Sequence, residues 1–293
     1  IGYNVGEHRM DTGYYDLLAS EARLASFYAI SQGQLGQEHW FALGRLLTTS
    51  RGAPALLSWS GSMFEYLMPQ LIMPTYENTL LSETYKAIVR RQIKYGKQRG
   101  VPWGISESGF NAWDVHMDYQ YRAFGVPGLG LKRGLAEDLV VAPYATVMAL
   151  MVEPEAACHN LERLAAEGRQ GPYGFYEAID YTPSRLPLGV TSATVRSFMA
   201  HHQGMSLLSL ACLLLDRPMQ RRFQADPTFQ ATSLLLQERI PKTTGPIFPH
   251  MVEANTTRTA SAEAEGTMRV LIDPGSPIPE VHLLSNGRYH VMV

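Results

Sequence analysis

Cysteine is scarce in this chain: there are two in 293 residues, Cys158 and Cys212. Both sit in apolar, helix-like contexts, which argues against a disulfide-stapled scaffold and a cysteine-rich zinc site. An excess of charge is missing as well. Lys and Arg number 25 against 27 Asp and Glu, a net charge of −2, so nothing favours a nucleic-acid or polyanion partner. Long apolar runs are also lacking. The two longest extend from Leu139 to Val152, interrupted by Pro143, and from Leu207 to Leu215. A membrane span needs about 20 residues, so direct membrane insertion is not expected. No leader-like segment opens the chain at Ile1, and we expect a piece of a longer protein. What is present suits a globular core: 45% of residues are hydrophobic, ordinary for a folded domain. Aromatics reach 10%, with 15 Tyr and 4 Trp, enough to line a sugar-binding cleft.

Residues 1–240 read as helices joined by Gly- and Pro-rich loops. Apolar spacing predicts helices over Tyr14–Ile30, Leu81–Tyr95, Glu137–Met151, Pro154–Glu167, Ser192–Leu215 and Pro227–Arg239. Gly96 and Gly100 are stop signals for the second, and Pro154 and Gly168 bracket the fourth. Glu38–Leu47 and Ser62–Leu71 are weaker candidates. After Pro241 the character changes. Thr243–Gly266 reads as a linker, and Met268–Ile272 and Tyr289–Val293 as strands, with Asn286-Gly287 as a hairpin turn. We therefore expect a helical domain over 1–240 and the start of a β-rich unit over 241–293.

Four places can carry chemistry. On the apolar stripe of Tyr14–Ile30, Glu21 stands where an apolar residue belongs. Burial without a partner would raise its pKa, as a general acid requires; a salt bridge to a core arginine is the plainer reading. In Trp103-Gly-Ile-Ser-Glu-Ser-Gly-Phe-Asn-Ala-Trp113, Glu107 lies among small residues and flat aromatic faces. That composition suits a sugar ligand, while a helix-capping carboxylate is the alternative. Glu177 and Asp180 lie three apart among aromatics in Tyr173–Pro183. They could act as acid and base, or pair with Arg185 or Arg196. In Met199-Ala-His-His-Gln-Gly204, adjacent histidines on a helix are not expected to face one metal, and the His-x-x-x-His spacing of a zinc helix is absent. One of them, His202, could reach a cleft. Glu65 is a weaker carboxylate candidate among apolar neighbours. Gly125–Gly134 is Gly-rich but has neither phosphate-loop spacing, and the sequon at Asn255 carries little information.

Several stretches together are more specific than any single motif. They include Tyr14–Leu24, Ser58-Trp-Ser-Gly-Ser-Met-Phe-Glu-Tyr-Leu-Met-Pro69, Val101-Pro-Trp-Gly-Ile-Ser-Glu-Ser108, Tyr119–Gly134, Gly174–Pro183 and His201-His-Gln-Gly-Met205. Residues 1–240 strongly resemble the central glucoamylase-like region of bacterial cyclic β-1,2-glucan synthases. The tail Pro279–Val293 resembles the opening strands of the phosphorylase-like domain that follows it. The resemblance implies an all-α (α/α)6 toroid with a short β-rich C-terminal extension. Fewer helices are countable than the dozen a toroid needs, so we expect it to be incomplete at the N-terminus. It implies retaining transglycosylation of linear β-1,2-glucan into rings, with Glu107 as nucleophile and Glu21 as acid/base. It implies no metal or organic cofactor. Trp103, Trp113, Tyr119, Tyr176, Glu177, Asp180 and His202 are expected to line the substrate cleft. The expected partners are β-1,2-glucan and neighbouring domains of a parent synthase, at the cytoplasmic face of a bacterial inner membrane. The rival readings are an inverting endo-β-1,2-glucanase of the same fold, with Glu177 or Asp180 as base, and a non-catalytic glucan-holding module.

Overall fold

A computed structural model describes residues 3–10, 13, 15–50, 52–241 and 246–249, and the backbone of 283–285 and 290–292. The chain divides into two compact units, Ile1–Thr257 and Arg258–Val293. In the first, the helices are α1 (Arg23–Ser31), α2 (Glu38–Ala42), α3 (Met63–Leu67), α4 (Leu80–Arg99), α5 (Pro143–Met148), α6 (Pro154–Ala166), α7 (Ala200–Leu214), α8 (Pro218–Ala225) and α9 (Pro227–Thr232). Short antiparallel pairs sit between them. They are β1 (Tyr3–Asn4) with β2 (Arg9–Met10), β3 (Leu47–Ser50) with β4 (Ala53–Leu56), and β5 (Ser108–Trp113) with β6 (Tyr119–Arg122). After β7 (Val140–Val141) come β8 (Gln170–Gly171) paired with β9 (Gly174–Phe175), then β10 (Ala178–Asp180) and β11 (Ala193–Val195). Strand β10 is the centre of a three-stranded sheet, with β11 on one side and β7 on the other. In the second unit, β12 (Leu283–Ser285) pairs antiparallel with β13 (His290–Met292), as a hairpin there would require. Residues 268–272, and the turn 286–289 itself, lie outside the described residues.

Helix α4 is the spine of the core. Thr79 caps it in a reciprocal box with Ser82, and Gly100 ends it in the left-handed conformation at φ 71°. Leu80, Leu81, Tyr85, Ile88, Val89 and Tyr95 form its buried stripe. Helix α5 is buried along its whole length, and its Pro143 supplies a fixed φ at the first turn. At the other end Phe27 of α1 meets Trp40, Phe223 and Phe229 edge-on or tilted, with ring centroids 5.2–6.2 Å apart.

The predicted helices over 38–47 and 227–239 end early as α-helix, at Ala42 and at Thr232, and three others start late. The one over 14–30 begins only at Arg23, because the preceding residues are held extended. Leu18 N–H donates to Gly44 O at 3.0 Å and Gly44 N–H donates to Asp16 O at 2.6 Å. The stretch from Ser192 divides into β11 and α7; Thr194 and Val195 are β-branched and take the sheet instead. The helix expected from Glu137 starts at Pro143, after β7. Tertiary hydrogen bonding overrides periodicity at each late start.

The Gly-rich stretch 125–134 has a packing reason. Its backbone lies directly on the loop 58–62: Ser58 N–H donates to Leu129 O, Leu131 N–H to Ser58 O, and Val126 N–H to Gly61 O, all at 3.1–3.2 Å. A Cβ at Gly125 would stand 1.7 Å from Ser60 O. Gly125→Ala should therefore cost about 3 kcal/mol or more. Gly204→Ala, inside α7 with nothing within 4 Å of the new methyl, should stabilise by about 1 kcal/mol. Denaturant midpoints of the two variants moving in opposite directions would bear this out.

Candidate active site

The site is built around the segment that joins α4 to β5. Gln92 on α4 grips Ile105 from both sides, donating to its carbonyl and accepting from its N–H at 2.8 Å each. Tyr144 on α5 donates its hydroxyl proton to Glu107 O at 2.9 Å and makes a second hydrogen bond with Ser106 Oγ at 2.8 Å. Glu107 is thereby fixed at the mouth of β5 and left half-buried. In the β5–β6 ladder, Gly109 stands opposite Tyr121, and the Tyr121 hydroxyl donates to Glu107 Oε1 at 2.9 Å.

Behind Tyr121 lies His202, 1% exposed on the first turn of α7. Its Nε2 is 3.2 Å from the Tyr121 hydroxyl and its Nδ1 is 2.9 Å from Glu177 Oε2. The imidazole stacks on the Tyr144 ring, with centroids 3.7 Å apart and planes 10° from parallel. Glu177 is itself buried, and its other oxygen accepts from Gly109 N–H at 3.0 Å. A Cβ at Gly109 would press on Glu177 Cγ at 3.3 Å, so a glycine there lets the carboxylate reach the strand backbone.

Glu21 occupies the turn just before α1, half-buried; the expected place on a helical face is corrected, because the helix starts two residues later. Among the described residues no cation lies within ion-pair distance of Glu21, and Ser20 Oγ is its side-chain partner at 3.3 Å. The nearby Arg23 is fully committed elsewhere. Its Nη1 donates to Ser20 O and Glu65 O at 2.9 and 3.1 Å, and its Nη2 to Tyr66 O and Tyr85 Oη at 2.6 and 2.8 Å. Arg23 thus clamps the Glu21 turn onto the end of α3. Glu65 on α3 is 8% exposed. It accepts from Ser58 Oγ, Ser60 N, Ser60 Oγ, Ser62 N and Ser62 Oγ at 2.5–2.9 Å.

Burial pushes the carboxyls of both Glu21 and Glu107 up from their ordinary values. The charge of Glu65 adds to the rise at both, and the charge of Glu21 adds to it at Glu107. Residues 86 positions apart therefore share one electrostatic site. What opposes the rise differs. Glu107 has the Tyr121 donor and the His202 ring, while Glu21 has its own backbone N–H, Ser20 and the more distant charge of Arg23. Burial also raises the Tyr121 hydroxyl, reinforced by Glu107 and Glu177, and lowers His201.

The other expected cleft residues fall into two groups. Trp113 is 49% exposed and lies against Tyr119 at the free end of the β5–β6 hairpin, ring centroids 3.8 Å apart. Tyr176 is half-buried beside Phe198 at 5.4 Å. Trp103, in contrast, is 7% exposed in the core, its backbone carbonyl accepting from Thr146 and Asn160; its indole is not open to a ligand. Asp180 is completely buried and bonded to Arg185 Nε at 2.7 Å, Asn111 N–H and Thr182 N–H. That is the structural pairing with Arg185. Both oxygens of Glu177 are likewise engaged, though by Gly109 and His202 instead of an arginine.

The adjacent histidines do converge, contrary to the helical-wheel expectation: donor atoms of Glu107, His201 and His202 all lie within 4.8 Å of one another. Both sit in the first turn of α7, where the chain enters from β11. His202 spends Nδ1 on Glu177 and directs Nε2 at Tyr121, which also holds Glu107, so we read the group as a hydrogen-bonded cluster. Tyr121, Tyr144 and Arg23 are site residues that sequence reasoning did not single out. Tyr121 alternates with Tyr119 along β6, a signal available only once that segment is read as a strand.

Residues 13–227 match the model of the putative glucoamylase family. The chain belongs to that family. This glucoamylase-family chain is 46% identical over its whole length to the cyclic β-(1,2)-glucan synthase NdvB of Rhizobium meliloti (strain 1021), spanning 10% of that protein. It shares its fold with an endo-β-1,2-glucanase from Talaromyces funiculosus, solved with sophorose, at a TM-score of 0.56 and 16% identity. The match covers 82% of this chain and 51% of that one. An endo-β-1,2-glucanase from Chitinophaga pinensis, solved with sophorotriose and glucose, gives 0.54 and 18%, covering 77% and 54%. The fold is thus a mostly helical, glucoamylase-like one, consistent with an (α/α) toroid carrying a small β-rich region. Among the described residues no helix is long and apolar enough to cross a membrane.

The burial of Glu21, with no cation partner among the described residues, has a measurable cost. A carboxyl whose pKa is raised by folding binds more protons in the folded state. Its penalty is absent below the unfolded value of 4.5 and grows as pH rises through the folded one. Glu21→Gln should therefore be more stable than the parent chain at pH 7, with the difference vanishing below about pH 4. Thermal unfolding followed across that range checks it; a variant less stable at pH 7 would contradict the burial account.

Proposed function

We propose that this chain is a glycoside-hydrolase-type domain that acts on β-1,2-glucan by retaining transglycosylation, closing linear chains into rings. The observation that carries the reading is a pair of half-buried carboxyls, Glu21 and Glu107, both raised by burial, with the charge of Glu21 bearing on Glu107 and with unequal hydrogen-bond partners. Two such groups in one apolar setting do not ionise together. Glu107, with a phenol donor and an imidazole behind it, is the one better held as an anion. Glu21, without a cation partner, is the one better held as an acid.

On this reading Glu107 attacks the anomeric carbon while Glu21 protonates the departing glycosidic oxygen, leaving a glycosyl ester on Glu107. Glu21, now a carboxylate, then takes the proton from the hydroxyl at the non-reducing end as that oxygen displaces Glu107. Trp113 and Tyr119 offer flat faces at the end of the β5–β6 hairpin, and Tyr176 lines a hollow with Tyr144, Glu177 and His202. The choice of glucan follows from similarity, along the whole of this chain, to NdvB, a cyclic β-(1,2)-glucan synthase. The chain spans a tenth of that protein, so its membership of a larger synthase, the division at residue 240/241, and a location at the cytoplasmic face of the inner membrane belong to the same proposal. With Glu177 and Asp180 both engaged in buried pairs, neither is available as the base of an inverting reaction without first losing those partners.

Mass spectrometry of linear β-1,2-glucan incubated with the chain tests this. Products one water lighter than linear chains of the same length are expected, and Glu107→Gln and Glu21→Gln should each lower their rate by at least about 1,000-fold. Shorter linear chains alone would instead support a hydrolase. Binding without turnover, unaffected by both substitutions, would support a holding module.

A further inference from the structure

A line of hydrogen bonds runs from the half-buried Glu107, through the partly exposed Tyr121 hydroxyl, to the buried His202 and Glu177. Glu107 Oε1, Tyr121 Oη, His202 Nε2, His202 Nδ1 and Glu177 Oε2 follow one another at 2.9, 3.2 and 2.9 Å across the three contacts. We infer that Tyr121 and His202 are positioning residues that relay a proton to and from Glu107, so that Glu107 ionises by charging His202. The inference rests on the assignment of Glu107 as the group that must become anionic.

The proton count follows from the donors available. Glu177 is anchored by Gly109 N–H on one oxygen and accepts from His202 Nδ1–H on the other. His202 Nε2 and the Tyr121 hydroxyl then have two self-consistent arrangements. In the first, Glu107 carries a proton and donates it to Tyr121 Oη, whose own proton points at an unprotonated Nε2. In the second, Glu107 is a carboxylate accepting from Tyr121 O–H, and Tyr121 Oη accepts from Nε2–H of an imidazolium. One passes into the other when the Glu107 O–H bond breaks as a new O–H bond forms at Tyr121, while the former Tyr121 proton bonds to Nε2. Two protons each move one step, nothing enters or leaves, and no heavy atom need travel. Tyr121 does not become a free phenolate in either state, in keeping with the strong upward pressure on its ionisation from burial and from Glu107 and Glu177.

The surroundings favour the second state only as a pair. The groups facing Glu107 and His202 are Glu21, Glu65, Glu177, His201, Tyr121 and Tyr144. Glu21 and Glu65 disfavour a lone Glu107 anion, and the Glu177 carboxylate lies 2.9 Å from the Nδ1 of the imidazolium in the second state. His201 disfavours that cation when it is charged itself, and burial keeps it from charging readily. Tyr144 stacks face-on against His202, and its hydroxyl points away, donating to the Glu107 carbonyl and hydrogen-bonded to Ser106 Oγ. It therefore locks the ring plane without competing for either nitrogen. A histidine serving only as core packing would not require its two nitrogens to face an anchored carboxylate and a second titratable site.

The test is a double-mutant cycle on the full chain, read by the ¹⁵N signals of His202 as pH is varied. With Tyr121 present, Glu107→Gln should lower the proton affinity of His202 about tenfold or more. With Tyr121→Phe, which keeps the ring and removes the hydroxyl, the same Glu107→Gln change should have less than half that effect on the logarithmic scale. Through-space attraction alone predicts an effect as large or larger without the hydroxyl, and that outcome overturns the relay. This measurement needs no turnover, so it stands whether or not the chain acts on β-1,2-glucan. Where turnover is measurable, Tyr121→Phe should lower kcat about 100-fold with little change in KM and move the acidic limb of the kcat profile to higher pH. An unchanged acidic limb would also overturn the relay.

Discussion

The Glu65 carboxylate, taken out of water and given five hydrogen bonds by three serines, is the interaction on which the site depends. A buried anion without such partners would cost several kcal/mol, and hydrogen bonds to a charged group recover about 1.5–3 kcal/mol each. The cage has consequences in two directions. It shapes the loop 58–62, onto which the glycine stretch from Gly125 is laced backbone to backbone. It also fixes the end of α3, whose carbonyls at Glu65 and Tyr66 receive Arg23. Arg23 in turn holds the Glu21 turn. A buried anion and a buried cation, neither bonded to the other, thus set the position of a carboxyl that belongs to neither.

The second wall is organised by a different device. Glu107 is placed by backbone and hydroxyl contacts from α4, α5 and β6, and the aromatic rings of Tyr144 and His202 form the layer behind it. The two walls meet as charge. Glu65 and Glu21 bear on Glu107, and Glu65 bears on Glu21. Negative charge concentrated in a poorly hydrated site makes ionisation there sequential, and sequential ionisation is what separates an acid from a nucleophile. On the proposed assignment of Glu21 and Glu107, the site accepts lower stability at neutral pH in return for that separation.

Much of this was legible in the residues. Glu107 stood out because a carboxylate among Ser, Gly and aromatic residues suits a ligand better than a core, and it does open to solvent. Glu21 stood out as a misfit in an apolar pattern. The misfit was real, although its cause is a turn held by Gly44 and Arg23, not a helix face. Periodicity failed where β-strands of two or three residues interrupt apolar runs, as at Val140–Val141 and Ala193–Val195; such strands exist only because a partner strand lies alongside. Trp103 looked like a sugar platform by composition, but its side chain turns into the core. Asp180 and Glu177 looked alike three residues apart, yet one pairs with Arg185 and the other with His202. Spacing on a strand cannot separate those fates, because each depends on which element crosses behind it. Tyr121 was invisible for the same reason: its importance lies in joining β6 to α7, 81 residues away.

The account stands on Glu21 and Glu107 gripping the same glycosidic bond. The most direct measurement is a crystal structure of Glu107→Gln with a β-1,2-linked glucotetraose. The account predicts a glycosidic oxygen within about 3 Å of the Glu21 carboxyl, and the adjoining anomeric carbon within about 3.5 Å of the side chain at position 107. A sugar chain bound instead along the apolar hollow between Tyr144 and Leu210, touching neither position, would contradict it.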